Sequence, residues 1–389
     1  MKDFINYIHA ISKNPIIPKK AKYTTTIIMP EMDTTEGIYR SLLPSYVING
    51  SQPDLRMLIV GLTAKMKISN NAKDFNITQE IFEQTDHFVF PFTSCPLRSV
   101  VEKMKEVNPD LKFSYYIDSN FYLMPEAYPF AKEFNTAKMI QIIEDNIRVV
   151  DNVICTNNAL IDFIITKLHE KYPDEKFNTL FRLQRLFILP SLMKTEYTND
   201  TKPGKIKALI IGDESQFSDI NYILGMLKDF KCKHKDKFEL IIMGWNGKRT
   251  NRDYMKNIPF THIERTPFEK YFETIRHIGP DVLIIPATKS KFTDTSKNYI
   301  KYLEFAHMNI PVIAPNILPY SDLITNNTNG FLCSAKEDYA FQLETLYTEP
   351  SKASGTLGIA YATASDMNIA EECNILKLKS IYFPDYGSK

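Results

Sequence analysis

Between residues 203 and 348 short apolar runs alternate with amphipathic stretches, a pattern that few folds accept. Lys207 to Ile211, Phe238 to Met243, Asp281 to Ile285, Ile310 to Ala314 and Gly330 to Cys333 are strand-sized and rich in Ile, Val and Leu. Ile220 to Phe230, Phe268 to Ile278, Ser296 to Met308 and Lys336 to Tyr347 read as helices between them. Continuous apolar strands separated by helices predict a parallel sheet covered on both faces. Ligands of such sheets bind beyond the C-terminal strand ends. The loops beginning at Gly212, Gly244, Pro286 and Pro315 are therefore the candidate site.

The first half repeats the theme less cleanly. Its strand candidates are Thr24 to Met29, Met57 to Val60, Phe88 to Phe90, Phe113 to Ile117, Asn152 to Cys155 and Leu186 to Leu189, with helices over 136–150 and 158–170. A chain of 389 residues exceeds one ordinary core. The expected fold is α/β, two Rossmann-like doubly wound domains facing a cleft that excludes water when it closes. The expected divisions are an N-terminal extension over 1–22, a first domain over 23–193, a second over 203–350, and closing helices with a tail over 351–389. The polar segment Lys194 to Lys205, with Pro203-Gly204, reads as the linker. In the extension, Phe4, Ile5, Ile8 and Ile11 form an apolar stripe that Lys13, Lys19, Lys20 and Lys22 follow. Packing on the first domain is the favoured reading, and weak membrane-surface association is the alternative.

Composition narrows the classes. Lys+Arg 47 against Asp+Glu 46 gives no global support for nucleic-acid binding. No apolar run approaches a membrane span, and no apolar signal core follows the first residues. Cys95, Cys155, Cys232, Cys333 and Cys373 are scattered without CxxC spacing, which argues for buried thiols in a reducing cytosol. The histidines show no metal-binding pattern, so no built-in metal or cofactor is expected.

The segment from Ser296 to Ala306 carries the chemistry. On one helix, Lys297, Lys301 and Glu304 would share a face and project two ammonium groups and a carboxylate together. Thr295 or Ser296 would cap that helix and leave its start as an anion site. A cation pair, a free helix start and a hydroxyl-binding carboxylate suit a nucleoside diphosphate. The same spacing also fits a solvated charged face.

In order along the chain, several motifs resemble those of the GT-B glycosyltransferases, in particular family 4-like enzymes of bacterial and phage surface-polysaccharide clusters. Gly37-Ile38-Tyr39-Arg40-Ser41-Leu42-Leu43-Pro44 resembles the family's glycine turn and Tyr-Arg helix. Tyr116-Ile117-Asp118-Ser119-Asn120-Phe121, with Pro125-Glu126 and Pro129-Phe130 behind it, is similar to an acidic family stretch, with Ser119 and Asn120 where acids are usual. Asp151 to Thr156 and Leu189-Pro190-Ser191 follow in register. In the second half Ile211-Gly212, Asp281 to Pro286, the Lys297–Glu304 segment and Gly330-Phe331-Leu332 resemble the nucleotide-binding domain. There are departures. Ser296 stands where the earlier acid of a Glu-x7-Glu signature falls, and Asp213, Glu214 and Ser215 replace the usual basic residues after the Gly212 turn.

The resemblance implies a cytoplasmic transferase, free or peripheral to the inner membrane face, that moves sugar from a nucleotide sugar, most simply a UDP-sugar, to a glycan or lipid-linked hydroxyl. Retention and metal independence go with it. Donor contacts would come from Gly212, Pro286, Lys289, Lys291, Lys297, Tyr299, Lys301 and Glu304. Lys297 and Lys301, with Lys289 or Lys291 next, would supply the missing positive charge, and Glu304 would hold the ribose hydroxyls. Gly37, Tyr39, Arg40 and Asp118 would form the acceptor side, with Asp118 a general base in an inverting reaction or an orienting group in a retaining one. Alternatives are a transferase acting on a modified DNA base, a non-catalytic nucleotide or partner binder, and, more remotely, an epimerase.

Overall fold

The computed structural model describes residues 1–13, 21–29, 34, 37–61, 77–93, 95–126, 128, 131–175, 178–193, 205–245 and 258–386. All of the expected linker Lys194 to Lys205 except Lys205, together with Pro129-Phe130, Lys19 and Lys20, lies outside the described residues. The chain forms two compact units, one of Met1–Met124, Lys132–Leu189 and Ile369–Lys389, the other of Pro125–Ala131 and Pro190–Asn368.

In the first unit β1 (Tyr23–Met29), β2 (Leu55–Gly61), β3 (His87–Phe90), β4 (Lys112–Ile117), β5 (Asn152–Cys155) and β6 (Leu180–Leu183) lie in the order β2-β1-β3-β4-β5-β6. Every pairing is parallel. One face packs Phe88, Phe90, Phe113, Tyr115 and Phe121 against the helices Arg98–Val107, Ala137–Val149 and Asn158–Lys171. The strand expected over Leu186 to Leu189 is a correction: the slot beside β5 belongs to β6. Leu186, Phe187 and Ile188 are buried, but Ile188 O accepts the N–H of Ile369 at 2.8 Å from the returning C-terminal segment. Apolarity there reports core, whereas the edge strand β6 is only half-buried.

Two helices close this unit from opposite ends of the chain. The helix Lys2–Lys13 places Phe4 and Ile11 inside, packs Phe4 and Tyr7 edge-on against Tyr46, and bonds Tyr7 to Ser45 Oγ at 2.9 Å. Much of the expected stripe is thus spent on protein contact. The helix Glu372–Tyr382 ends on a polar column inside the sheet. Tyr382 O accepts from Thr25 Oγ1 at 2.5 Å and from His87 Nδ1 at 2.8 Å, and His87 Nε2 lies 2.7 Å from Ser114 Oγ. A carbonyl can only accept, so Nδ1 carries the proton and Nε2 accepts from Ser114.

Burial holds the His87 imidazole down at about 4 from its ordinary 6.5. In the unfolded chain the ring protonates first as pH falls, so the native state binds fewer protons across that window. Stability from this group is full above about pH 6.5 and drains away toward about pH 4, by about 3 kcal/mol in all. Urea unfolding at pH 7 and pH 4.5 should show a smaller pH loss in His87→Gln than in the parent. Equal losses in both proteins would refute this account.

In the second unit β7 (Ile206–Gly212), β8 (Phe238–Gly244), β9 (Thr261–Ile263), β10 (Val282–Ile284), β11 (Val312–Pro315) and β12 (Phe331–Cys333) take the order β12-β11-β10-β7-β8-β9, again all parallel. The helices Phe217–His234 and Lys336–Thr348 pack Ile220, Leu224, Leu227 and Leu343 on one face of the sheet. The short, exposed edge β9 gave no signal in the sequence.

The single helix expected over Ser296 to Met308 is also corrected. It is two helices, Lys291–Ser296 and Ile300–His307, with Lys297 extended between them (φ −80°, ψ 156°). Local side-chain bonds compete with the helix here. Ser290 and Thr293 form a reciprocal capping box, Thr295 Oγ1 bonds back to Lys291 O at 2.7 Å, and Asn298 Oδ1 takes the Ile300 N–H at 3.2 Å. Lys297 therefore leaves the face that Lys301 and Glu304 share.

Candidate functional site

The second sheet reverses direction between β7 and β10: the chain runs outward through β8 and β9, then returns to β10 and on to β12. A crevice opens at such a reversal, beyond the C-terminal strand ends. Gly212 and Gly244 end the paired strands β7 and β8 side by side. Gly244 has φ +99°, and a Cβ there would sit 2.7 Å from Gly212 O. At Gly212 a Cβ would meet Gln216 Oε1 at 2.8 Å. Backbone packing at this strand end requires glycine at 244, whereas at 212 the added carbon would meet side-chain atoms of Gln216 and Ile220.

Around that turn the charged groups are held firmly. Lys301 Nζ donates to Ile211 O at 2.6 Å and to Gln216 Oε1 at 3.2 Å, which places it against the end of β7. Glu304 is 3% exposed, and its Oε2 accepts the Tyr271 hydroxyl at 3.0 Å. Burial, and then the charge of Glu304, hold the Tyr271 phenol well above its ordinary value. Tyr271 therefore stays a donor. Lys297 reaches the same region from its extended link, with Nζ 2.6 Å from Asp219 Oδ2. The side chains of that pair are 20% and 10% exposed.

Asp219 was missed in the sequence. An acid in the first turn of a helix reads as an ordinary complement to the helix dipole. Here its Oδ1 also accepts the N–H and the hydroxyl of Thr288, each at 2.8 Å, and so ties the helix Phe217–His234 to the loop after β10. Tyr271, Thr288 and Gln216 were missed too, since hydroxyls and amides of this kind carry no spacing signature.

Other expected donor residues are dispersed around this core. Pro286 is buried at the exit of β10, and Tyr299 is buried as the residue preceding the helix Ile300–His307. Lys289 and Lys291 are exposed. Asp213 is exposed and turned back on its own loop, accepting from Ser215 N at 2.8 Å.

In the first unit Gly37 precedes a wide helical turn, Ile38–Leu42, in which Leu43 N–H bonds Ile38 O before the helix Leu43–Ser51 continues. Gly37 itself is helical (φ −57°), so its own backbone does not demand glycine. Tyr39 is buried. Arg40 projects from the turn to pair its guanidinium with Asp118 at the end of β4, and its Cζ lies 5.2 Å from the Tyr116 ring centre. Behind it, Arg40 O accepts from Tyr382 at 2.7 Å and from Gln184 Nε2 at 3.1 Å. Burial pushes the Tyr116 phenol far up, partly opposed by Arg40. The structure thus brings Arg40 and Asp118 together as an ion pair.

No family model and no curated protein matches the chain. Solved structures do. A sucrose-phosphate synthase from Thermosynechococcus elongatus is 11% identical with a TM-score of 0.65, over 94% of this chain and 100% of that one. HepE from Anabaena, in complex with UDP-glucose, is 11% identical with a TM-score of 0.63, over 94% and 100%. A glycosyltransferase from Rickettsia africae is 16% identical with a TM-score of 0.58, over 95% and 100%. This chain has the GT-B fold. At such low identity the likeness is one of architecture, and it runs the length of both chains. The GT-B frame puts the Gly212–Gly244 strand end at the reversal of its second Rossmann-like sheet. Among the described residues of this GT-B chain no group of three or more His, Cys, Asp and Glu could hold a metal ion. No described helix is long and apolar enough to cross a membrane.

Proposed function

We propose that this GT-B protein is a glycosyltransferase that moves a sugar from a nucleotide sugar, most simply a UDP-sugar, to a hydroxyl of a glycan or lipid-linked saccharide. The observation that carries this reading is the anchoring of Lys301 on the end of β7 and of Lys297 on the first turn of the helix that follows it, beside the reversal point of the second sheet, with Glu304 one turn further along the Lys301 helix. Glu304 would accept the ribose hydroxyls. Lys301 and Lys297 would face the diphosphate. In the transfer the bond from the anomeric carbon to the phosphate oxygen breaks, and a bond to the acceptor oxygen forms. The acceptor proton leaves, and negative charge grows on the departing diphosphate. Fixed ammonium groups favour that charge in the transition state more than in the bound donor, which lowers the barrier without a metal.

The first unit would present the acceptor through Arg40 and Asp118. Their ion pair suits Asp118 to accepting a hydrogen bond and orienting a hydroxyl, which accords with a retaining transfer. The family 4-like assignment rests on the sequence motifs. A non-catalytic nucleotide binder is the second reading, favoured by the engagement of Lys297 with Asp219.

A thermal-shift screen followed by transfer assays tests both. UDP and a UDP-sugar should raise the melting temperature more than uridine does, because ligand binding favours the native state. UDP release from one member of a UDP-, GDP- and TDP-sugar panel should then rise with a saccharide acceptor. Binding without turnover across the panel would leave the second reading. No stabilisation by any nucleotide would sink both.

A further inference from the structure

Asp219 carries a charge that its structural duty does not need. It is 7% exposed, and its Oδ1 pins the Thr288 N–H and hydroxyl at 2.8 Å each. A neutral amide oxygen could accept both bonds. The negative charge is therefore directed at Lys297, whose Nζ lies 2.6 Å from Oδ2. A lysine ammonium has three donors. Asp219 takes one, and the Lys297 side chain remains 20% exposed. An anion arriving there meets N–H groups that can still bond, on a cation whose field is already largely cancelled.

The surroundings sharpen this. Lys301 gives its ammonium to a backbone carbonyl and an amide, and Lys297 gives its own to a carboxylate. Asp219 also sits close enough to Tyr320 that its charge adds to burial in holding that phenol up. The carboxylate is thus felt across the strand ends rather than lost to solvent.

We propose that Asp219 is an internal counter-ion that sets how tightly the donor site holds a nucleoside diphosphate, keeping the grip on the released product weak enough for turnover. This deepens the donor-site reading above and rests on it. Asp219 touches Lys297 and not the reacting atoms, so it is a positioning and affinity-setting residue.

The test compares UDP with uridine by calorimetry in the full chain. Asp219→Asn should bind UDP about tenfold tighter with uridine unchanged, since one unit charge at a few ångströms is worth about that factor. UDP should become a stronger product inhibitor by the same ratio. Thr288→Val loosens the same loop without changing charge and should not tighten UDP. Should Asp219→Asn not fold, Asp219→Ser, which keeps a hydroxyl without the charge, is measured in its place. An unchanged or weakened ratio of UDP to uridine affinity, or tightening by Thr288→Val as well, would overturn the proposal. If the parent protein binds neither UDP nor uridine, the donor site itself is refuted and the counter-ion with it.

Discussion

Glu304→Gln is expected to weaken uridine and UDP binding alike, by roughly ten- to a hundredfold, with little change in melting temperature. The size follows from the chemistry: a hydrogen bond to an ionised acceptor contributes about 1.5–3 kcal/mol against about 0.5–1.5 for a neutral one, so two ribose hydroxyls together lose about 2–3 kcal/mol. Glutamine keeps the volume and an oxygen for the Tyr271 hydroxyl, so the buried pair survives as a neutral one. The ribose hydroxyls lose only the charge that strengthened their bonds. Glu304→Ala is a different experiment, because it also strands the Tyr271 hydroxyl and should cost about 1–3 kcal/mol of stability. Calorimetry with both ligands, beside a thermal melt, separates the two effects. A folded Glu304→Gln protein that binds uridine normally would remove the ribose role.

Gly244→Ala should be among the most damaging single-methyl additions in the second unit. Its φ of +99° lies where an L side chain is strained, and the added carbon would meet Gly212 O at 2.7 Å. Strain of this kind costs about 1–3 kcal/mol, and overpacking against atoms that cannot yield costs about as much again. The carbonyl cannot retreat without parting the Gly212–Gly244 pair of strands β7 and β8. Ile211 O, which receives Lys301, would move with it. Gly225→Ala supplies the contrast: that glycine is exposed within the helix Phe217–His234, and an added methyl would have no neighbour within 4 Å. It should be neutral or stabilising by up to about 1 kcal/mol. Urea denaturation of the two variants checks the pair, and similar midpoints would contradict the argument.

Much of the architecture was legible because buried parallel strands have no polar face to disguise them. Lys207 to Ile211 and Phe238 to Met243 are found as β7 and β8 with little change in bounds. Edges behave otherwise. The strands Thr261–Ile263 and Leu180–Leu183 are short and partly exposed, so their side chains resemble loops, while buried Leu186 to Ile188 resemble a strand. Helical spacing misled at Lys297, where Thr295 and Asn298 offered the backbone better local partners. The site was legible to the extent that a motif marked it. Glu304 was singled out with its neighbours, although periodicity alone would leave a helical glutamate in solvent. Asp219 had no motif. Its role depends on Thr288 and Lys297, 69 and 78 residues further along, and a contact of that range leaves no local trace.

The closing helix Glu372–Tyr382 has a consequence for how the chain comes off the ribosome. The first unit is encoded in separated stretches, and the second lies almost wholly between them. Thr25, His87 and the carbonyl of Arg40 must wait for Tyr382, the last partner to be synthesised. The later-encoded unit can thus mature before the earlier one is sealed, reversing the usual N-terminal-first order. Until then, water stands in for the hydrogen bonds that Tyr382 will make.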